Sequence, residues 1–284
     1  MIEKRFSLEN NMDFVQLKEK QRQDFDRDGF LIVPNALDAE TIELLVEAGD
    51  RLMQEFLDDP QELYLQLRQG IVQEEAFAAL VAQPTTVPLV VQFLGPNIHL
   101  HSASLIYKKP RDPAVTPSER GWHRDIGIAE DLGHRGLLRL GIKVCYCLTD
   151  FHEPASGLTL MAPQSHLLNE PLGIAAGQGD PPEVSEPLLN AGDALFFENR
   201  TYHTAAPNLS QSLSRVIIHG YAYRWMKPDV YLDAPDAAPL QRPDAIERQL
   251  LGGYRNVDAQ PEALLEWAEC HGVKPTAVPW TVEV

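Results

Sequence analysis

Residues 138–149 read LRLGIKVCYCLT, and this stretch decides the class of fold. Apolar residues occupy every second position, so that Ile142, Val144 and Tyr146 share one face of an extended segment. Lys143 and Cys145 share the opposite face. A period of two over this length predicts a β-strand whose two sides meet different surroundings.

Similar short strands are predicted on both sides of this one. Alternation or a brief apolar run between turns marks residues 98–107, 157–162, 194–197 and 216–223. Loops rich in proline and glycine, notably 110–121 and 170–187, separate them. Many short strands separated by loops of this kind are typical of a sandwich or barrel and not of alternating βαβ units.

Helical patterns flank the β region at both ends. Residues 13–27, and a second segment that Asp38 would cap, predict helices before it; residues 243–251 and 261–271 predict helices after it. No linker interrupts residues 88–225. We therefore expect a single domain over 1–284, mainly β with flanking helices, with an N-terminal helical buttress at 1–87, a β core at 88–225 and a C-terminal helical tail at 226–284.

The charge balance narrows the choice of partner. The 284 residues include 24 Lys+Arg against 41 Asp+Glu, a formal net charge of −17. A field of this sign repels nucleic-acid phosphates and anionic lipid, so we predict a small-molecule substrate, with neither nucleic acid nor membrane as partner. Three cysteines are too few for a disulfide framework and favour a reducing, cytoplasmic location.

The segment Gly121-Trp122-His123-Arg124-Asp125 contains the most informative chemistry. In an extended chain, residues i and i+2 project to the same side, so His123 and Asp125 can reach one metal ion. A second histidine would complete a 2-His-1-carboxylate triad, which leaves open positions on the metal for other ligands. A surface histidine beside a solvated aspartate is the alternative interpretation of these residues alone.

His203 is the candidate for the third ligand. A tight turn at Ala191-Gly192-Asp193 leads into an apolar strand, which is followed by His203. Twelve residues later, Arg215 opens the apolar strand Val216–Ile218. A guanidinium in such a strand needs an anionic partner, either the carboxylate of a ligand or an acidic side chain of the protein.

A series of short motifs surrounds these residues in a fixed order. They are Asp28-Gly29-Phe30 ahead of a strand ended by Pro34, Lys108-Lys109-Pro110, Leu148-Thr149-Asp150, Ser156-Gly157-Leu158, Pro163-Gln164-Ser165-His166 and Gly192-Asp193. With His123, Asp125, His203 and Arg215 they make the chain resemble the phytanoyl-CoA dioxygenase-like family of Fe(II)/2-oxoglutarate oxygenases. The resemblance covers most of the chain.

The resemblance implies a fold, a reaction and a set of site residues. The fold is a double-stranded β-helix, also described as a jelly roll or cupin-like barrel. Fe(II), 2-oxoglutarate and O₂ would be used to hydroxylate or otherwise oxidise a small organic molecule, with release of succinate and CO₂. By alignment, His123, Asp125 and His203 bind the iron, Arg215 binds the distal carboxylate of 2-oxoglutarate, and Ser104 and Cys145 line the cosubstrate site.

A local excess of basic residues suggests that the substrate is anionic. Residues 104–143 contain eight Lys and Arg against five Asp and Glu, a reversal of the overall sign. Lys143 and Arg139 share a predicted strand face with Cys145, so they are the best candidates for substrate contact. Solvated loop charges are the competing explanation. The loops at 111–121, 126–137 and 170–187 are candidate lids.

Two other classes of function are compatible with the same residues. One is a metal-dependent enzyme that is not an oxygenase, such as a hydrolase or an isomerase, which would give Arg215 no role. The other is a non-catalytic binding module on the same fold. The intact set of three ligands and Arg215 favours the oxygenase.

Overall fold

The computed structural model describes residues 12–57, 59, 61–68, 71–115, 120–125, 133–228, 242, 244–252 and 262–273. Within these ranges, none of the helices combines the length and apolar character needed to cross a bilayer. The middle of the predicted lid at 111–121 (residues 116–119) and the first part of the one at 126–137 (residues 126–132) lie outside the described residues.

The N-terminal part of the chain contains both helices and strands. Its elements are α1 (Glu19–Asp28), β1 (Phe30–Val33), α2 (Ala39–Leu57), β2 (Tyr64–Leu67), α3 (Glu75–Leu80) and α4 (Val87–Leu94). The predicted cap of α2 is confirmed, because Asp38 Oδ1 accepts a hydrogen bond from Thr41 N at 2.8 Å. The first helix begins at Glu19 and not at residue 13, because the side chain of Gln92 bonds Val15 O and Leu17 N and so occupies backbone groups that a helix would use.

Gly29 makes the sharp turn between α1 and β1. Its φ is +82°, and its N–H donates to Phe25 O at 2.8 Å to end the helix. A Cβ at this position would lie 2.4 Å from Thr201 Oγ1 and 2.6 Å from the ring of His166. Only glycine meets both conditions, so β1 can enter the sheet directly after the helix.

The β core consists of two antiparallel sheets. The remaining strands are β3 (Ile98–Lys108), β4 (Gly141–Cys147), β5 (Thr159–Met161), β6 (Ala194–Glu198), β7 (His203–Ala205) and β8 (Ser214–Tyr223). The large sheet has the order β1-β6-β4-β8-β3-β2, and the small sheet pairs β5 with β7. Isolated bridges at Ser185 and His123 widen the small sheet on its two sides. The large sheet takes two of its six strands, β1 and β2, from the segment predicted as a helical buttress.

The alternating pattern of residues 138–149 is confirmed in β4. Ile142, Val144 and Tyr146 belong to the large apolar cluster that joins the sheet to the helices. Cys145 and Cys147 face the other way, into a smaller apolar cluster between the two sheets. The predicted difference between the two faces therefore corresponds to a helix-covered face and an inter-sheet face.

Two C-terminal helices, α5 (Ala245–Leu250) and α6 (Glu262–Cys270), close the helical layer. Gln249 in α5 is fully buried and donates to the carbonyls of Pro96 and Ile98 just before and within β3. Trp267 in α6 donates from Nε1 to Met12 O at 2.7 Å. These contacts tie both ends of the described chain to the same side of the large sheet.

Candidate active site

A cavity of about 280 Å³ opens between the two sheets. Apolar side chains from the large sheet, among them Ile106, Phe197, Val216 and Ile218, form part of its wall. Its other lining residues are Tyr64, Gln66, Arg68, Ser102, Ser104, Lys108, His123, Asp125, Lys143, Thr159, His203, Thr204 and Ala205. The cavity therefore has an apolar wall and a concentrated set of polar and charged groups.

The backbone brings His123 and His203 together. Each residue donates its N–H to the carbonyl of the other, at 3.1 and 3.0 Å, in an antiparallel bridge between the 120–125 segment and β7. Their ring centroids are 4.3 Å apart. Eighty residues of sequence separate the two histidines, so only the closing of the small sheet makes them neighbours.

Both imidazole rings are held with the same nitrogen directed outward. His123 Nδ1 lies 2.8 Å from Gly121 O, and His203 Nδ1 lies 3.0 Å from Thr201 O. A carbonyl only accepts, so each Nδ1 carries the proton and each Nε2 keeps a free lone pair. Burial lowers the pKa of His203 to about 4, and its ring is therefore neutral near pH 7. His203 therefore presents the form of imidazole that binds metals, and His123 directs the same ring nitrogen outward.

Asp125 lies beside the two histidines. Its N–H donates to Asn199 O at 3.0 Å, and its Oδ2 is 3.7 Å from His203 Nε2. Burial acts to raise the pKa of Asp125, but the ammonium of Lys143, 3.4 Å from Oδ1, outweighs burial, and the net effect is a lowered pKa. The carboxylate is therefore ionised near pH 7.

These three side chains fit a divalent metal ion. One donor atom from each residue lies within 4.8 Å of the other two. Asp125 Oδ2 is buried and accepts no hydrogen bond from the protein, which is costly for a carboxylate oxygen unless a cation satisfies it. Two neutral imidazoles and one carboxylate on a single side are the donor set of a 2-His-1-carboxylate iron centre.

Two other predicted site residues lie on the cavity wall. Ser104 projects from β3 and accepts a hydrogen bond from Gln66 Nε2 at 3.2 Å. Lys143 projects from β4, and its ammonium faces Asp125. In this structure Lys143 therefore neutralises the aspartate, in addition to lining the space that a substrate would enter.

Arg215 does not reach the cavity, and this corrects the role predicted for it. Neighbouring residues in a strand project to opposite faces, and Val216 and Ile218 of β8 line the cavity. Arg215 consequently faces the helical layer, where Nε and Nη2 donate to both oxygens of Asp50 in α2 at 2.9 and 3.0 Å. Its guanidinium carbon also lies 5.3 Å from the centre of the Tyr107 ring.

Arg139 is also directed away from the cavity, contrary to the predicted substrate contact. It donates to the fully buried Glu198 and to Asp26. The strand alternation does not extend back to residue 139, because Asn199 Oδ1 accepts from the N–H groups of Leu140 and Gly141 and β4 begins only at Gly141. The carboxylates of Glu198 and Asp26 therefore provide the anionic partners of the Arg139 guanidinium.

Cys145 is fully buried in the inter-sheet apolar cluster and does not line the cavity. Burial raises the pKa of its thiol to about 12, so it remains an uncharged, small apolar group. The thiol therefore lies behind the cavity wall, within the apolar cluster between the sheets.

Lys108 is a cavity residue that the sequence interpretation used only as part of a motif. It is 6% exposed and projects from β3 on the same face as Ser104 and Ile106. The strand pattern indicates this position, because residues 104, 106 and 108 share one face of a predicted strand and Ser104 is a predicted site residue.

A second depression of about 350 Å³ adjoins the cavity. It shares Tyr64, Lys108, His123, Thr204 and Ala205 with the cavity, and its basic side chains include Arg111 and Arg120. The predicted lid at 170–187 contacts its border, since Asp180 pairs with Arg120 at 2.7 Å and accepts from Trp122 Nε1 at 3.1 Å. We call this second depression the basic groove.

An antiparallel double-sheet core with a His/Asp/His cluster at its cavity defines the class of non-haem iron oxygenases. Solved structures with this fold include HygX from Streptomyces hygroscopicus with nickel and 2-oxoglutarate bound, with a TM-score of 0.60 and 18% identity over 79% of this chain and 94% of that one. Another is the non-haem alpha-ketoglutarate-dependent carbocyclase SnoK from nogalamycin biosynthesis, with a TM-score of 0.58 and 17% identity over 74% and 85%. Identities this low establish the fold alone.

The model of the phytanoyl-CoA dioxygenase (PhyH) family matches residues 25–217, and the chain belongs to this family. Ectoine dioxygenase of Stutzerimonas stutzeri (strain A1501) is 24% identical over 300 residues, which cover 92% of each chain. Ectoine dioxygenase of Nocardia farcinica (strain IFM 10152) is 23% identical over 79% of this chain and 88% of its own length. The chain is thus an Fe(II)- and 2-oxoglutarate-dependent dioxygenase, and the predicted fold, enzyme class and cofactors are confirmed.

Proposed function

We propose that His123, Asp125 and His203 bind Fe(II), and that the enzyme oxidises a small anionic organic molecule with release of succinate and CO₂. The observation that carries the metal assignment is the convergence of three donor atoms within 4.8 Å at the cavity between the sheets. The orphaned Oδ2 of Asp125 supports it independently. The family relationship favours this function over a hydrolase, an isomerase or a binding module.

The protein orients the ligand side chains, supplies a negative charge and excludes water from part of the site. The bound iron would supply activation of O₂, coupled to the oxidative decarboxylation of 2-oxoglutarate. The carbonyls of Gly121 and Thr201 hold the two imidazole rings by their Nδ1–H groups, so that Nε2 is presented. Asp125 supplies one negative charge, and Phe197, whose ring centre is 4.6 Å from that of His203, excludes water from one side.

The basic groove supports an anionic substrate. Of the eight basic residues between 104 and 143, Lys109, Arg124 and Arg139 donate to protein acceptors away from the cavity and the groove, and Arg135 is exposed. Lys108, Arg111, Arg120 and Lys143 line the cavity or the groove. Within the described part of the chain, no carboxylate lies within 4 Å of the Arg111 guanidinium. A substrate carboxylate, phosphonate or phosphate would provide that partner.

Anaerobic titration of the apo-protein with Fe(II) and then with 2-oxoglutarate tests the metal and cosubstrate assignment. We expect a weak visible metal-to-ligand charge-transfer band that appears only after both additions. His203→Ala should abolish the band, whereas His152→Ala, which alters an exposed histidine in a loop, should leave it unchanged. Metal binding by the wild type without the band would contradict the proposed use of 2-oxoglutarate.

Succinate release in the presence of paired candidate substrates tests the substrate class. Each pair should consist of an acid and its neutral amide or ester, and the ectoine named by two relatives belongs in the panel as a carboxylate. We expect the acids to stimulate succinate release and their neutral partners to fail. Arg111→Met should raise the KM of an active acid, whereas stimulation by neutral members alone would contradict an anionic substrate.

A further inference from the structure

Arg124 lies between two of the three proposed metal ligands, His123 and Asp125. Both neighbours line the cavity, whereas Arg124 does not. Adjacent residues of an extended segment project to opposite sides, so the Arg124 side chain is directed away from the cavity. The 120–125 segment lies outside the named strands, and its backbone bonds to His203 and Asn199. The direction of such a short segment depends on its side-chain contacts as well as on these backbone bonds.

The guanidinium of Arg124 makes four hydrogen bonds within the described residues. Nε donates to Arg200 O at 2.8 Å, and Nη2 donates to Ser165 O at 2.7 Å and to Leu168 O at 3.0 Å. Nη1 donates to His134 Nδ1 at 2.9 Å. An arginine has no acceptor atom, so His134 Nδ1 is the accepting, unprotonated nitrogen of its ring. Three carbonyls and one imidazole thus hold the side chain in a single direction.

Arg124 also contacts the turn that leads to the third proposed ligand, His203. Its acceptor Arg200 directly precedes Thr201, whose carbonyl oxygen lies 3.0 Å from His203 Nδ1. The guanidinium carbon of Arg124 lies 4.6 Å from the ring centre of Tyr202, the residue next to His203. One side chain therefore joins the segment of the first two ligands to the turn that precedes the third.

The shape of the guanidinium suits this connection. Its four acceptors are uncharged, so the contacts depend on the placement of donors more than on an ion pair. A planar fork with donors on three nitrogen atoms can reach carbonyls from separate turns at the same time, whereas the ammonium of a lysine is a single donor atom. Residues that hold metal ligands from behind in this way affect metal affinity without contact to the metal.

We propose that Arg124 is a positioning residue, which fixes the segment of His123 and Asp125 relative to His203. The inference rests on the proposed function, because it takes these three side chains as the metal ligands. With Arg124 in place, the donor atoms are already arranged before a metal ion arrives. Without it, metal binding must also order the 120–125 segment, and this ordering lowers the affinity.

The test measures binding of Co(II), which can replace Fe(II) at oxygen and nitrogen ligands and has visible d–d bands that report the arrangement of those ligands. The proteins are the wild type, Arg124→Ala, Arg124→Lys, His203→Ala and the matched control Arg242→Met. Arg242 pairs with Glu75 of α3 and Glu247 of α5 and does not line the cavity. Circular dichroism verifies that each protein is folded. The dissociation constant and the spectrum of the saturated protein are then recorded, and turnover is not needed.

We expect both Arg124 variants to bind Co(II) at least about tenfold more weakly than the wild type, with an altered d–d spectrum at saturation. Arg124→Lys keeps the positive charge, but its ammonium cannot reach the separate carbonyls together. Arg242→Met loses two ion pairs elsewhere and should keep the wild-type dissociation constant and spectrum. His203→Ala, which lacks a proposed ligand, should not bind Co(II) at this site.

Two outcomes would overturn the inference. One is a wild-type dissociation constant or a wild-type spectrum in either Arg124 variant. The other is an equal weakening in Arg242→Met, which would assign the effect to a general loss of stability. In both cases His203→Ala still fails to bind Co(II), so the proposed function survives. If His203→Ala binds Co(II) as the wild type does, the proposed metal site is wrong, and the inference fails with it.

Discussion

Arg215 and Asp50 form a two-pronged ion pair across the interface between β8 and α2, with N–O distances of 2.9 and 3.0 Å. The pair lies on the helical side of the large sheet, whereas the cluster of His123, Asp125 and His203 lies on the other side. Arg215 therefore joins a helix to the sheet. This placement changes which variants should affect cosubstrate binding and which should affect stability.

We expect Arg215→Met to lower the free energy of unfolding by about 1 kcal/mol, because it removes a charge-assisted pair whose acidic partner is 40% exposed. The 2-oxoglutarate requirement should stay within about twofold of wild type, since the side chain does not reach the cavity. Urea denaturation and cosubstrate titration measure the two quantities. A large rise in the 2-oxoglutarate requirement without a loss of stability would contradict this placement of Arg215.

Arg139→Met should be more destabilising than Arg215→Met. Glu198 is completely buried and accepts from Arg139 and Arg200, so loss of one partner leaves its charge undercompensated. We expect a loss of about 3 kcal/mol in the free energy of unfolding. Arg135→Met, which alters an exposed arginine just before it in the chain, is the matched control and should change stability by less than about 0.5 kcal/mol. Equal effects of the two substitutions would refute the structural role of Arg139.

Asp125→Ala should abolish substrate oxidation and weaken Fe(II) binding strongly, because it removes the anionic donor of the cluster. Asp24→Ala removes the same charge from the surface of α1, where Asp24 pairs with Lys20, and should retain wild-type turnover. Metal content after dialysis and succinate release are the two measurements. Near wild-type values for Asp125→Ala would exclude this aspartate as a ligand.

The buried ammonium of Lys108 lines the cavity and should lose its charge as the pH rises above about 8, so 2-oxoglutarate, an anionic ligand of this cavity, should then bind more weakly. Burial lowers the pKa of Lys108 to about 8, so the attraction between its ammonium and an anionic ligand is strongest below that pH; the affinity should fall by at most about tenfold per pH unit above it. The facing groups are Tyr64, Cys145, Arg111 and Glu186. Tyr64 and Cys145 both have raised pKa values and remain neutral over this range.

Dissociation constants of 2-oxoglutarate, measured without oxygen between about pH 7 and pH 9.5, check this expectation. Lys108→Met provides the comparison, since its affinity should be lower and nearly independent of pH. A parallel decline in the wild type and in the variant would assign the pH dependence to another group.

The strand at 141–147 shows why part of the fold could be predicted locally. Its two-residue period is a property of the extended backbone, so the sequence alone separates the residues that face the helices from those that face the second sheet. The His-x-Asp spacing is similarly local, and it correctly predicts that His123 and Asp125 lie side by side. The resemblance of the ordered motifs to the family extended this to His203.

The assignments of Arg139 and Arg215 show where local patterns fail. A shift of one residue in strand phase moves a side chain from one face of a sheet to the other, and a motif aligned from sequence does not determine that phase. The phase of β8 is set by its ladders with β3 and β4, which place Ser214 and Val216 inward. For Arg139, the side chain of Asn199 ends the ladder before the alternation reaches it.

The sequence by itself predicted the class of fold, the family and the two histidines and one aspartate that come together at the cavity, because these depend on periodicity, short spacings and ordered motifs. Only the tertiary structure decided which cation stands in the cavity. Arg215 finds its carboxylate in α2, 165 residues earlier in the chain, and Lys108 is left buried in the cavity wall with a charge that no described residue neutralises. The strength of an ion pair depends on the distance between the two charges in the folded protein and not on their separation in sequence. Which charges are paired is therefore decided only when the sheets and helices pack together.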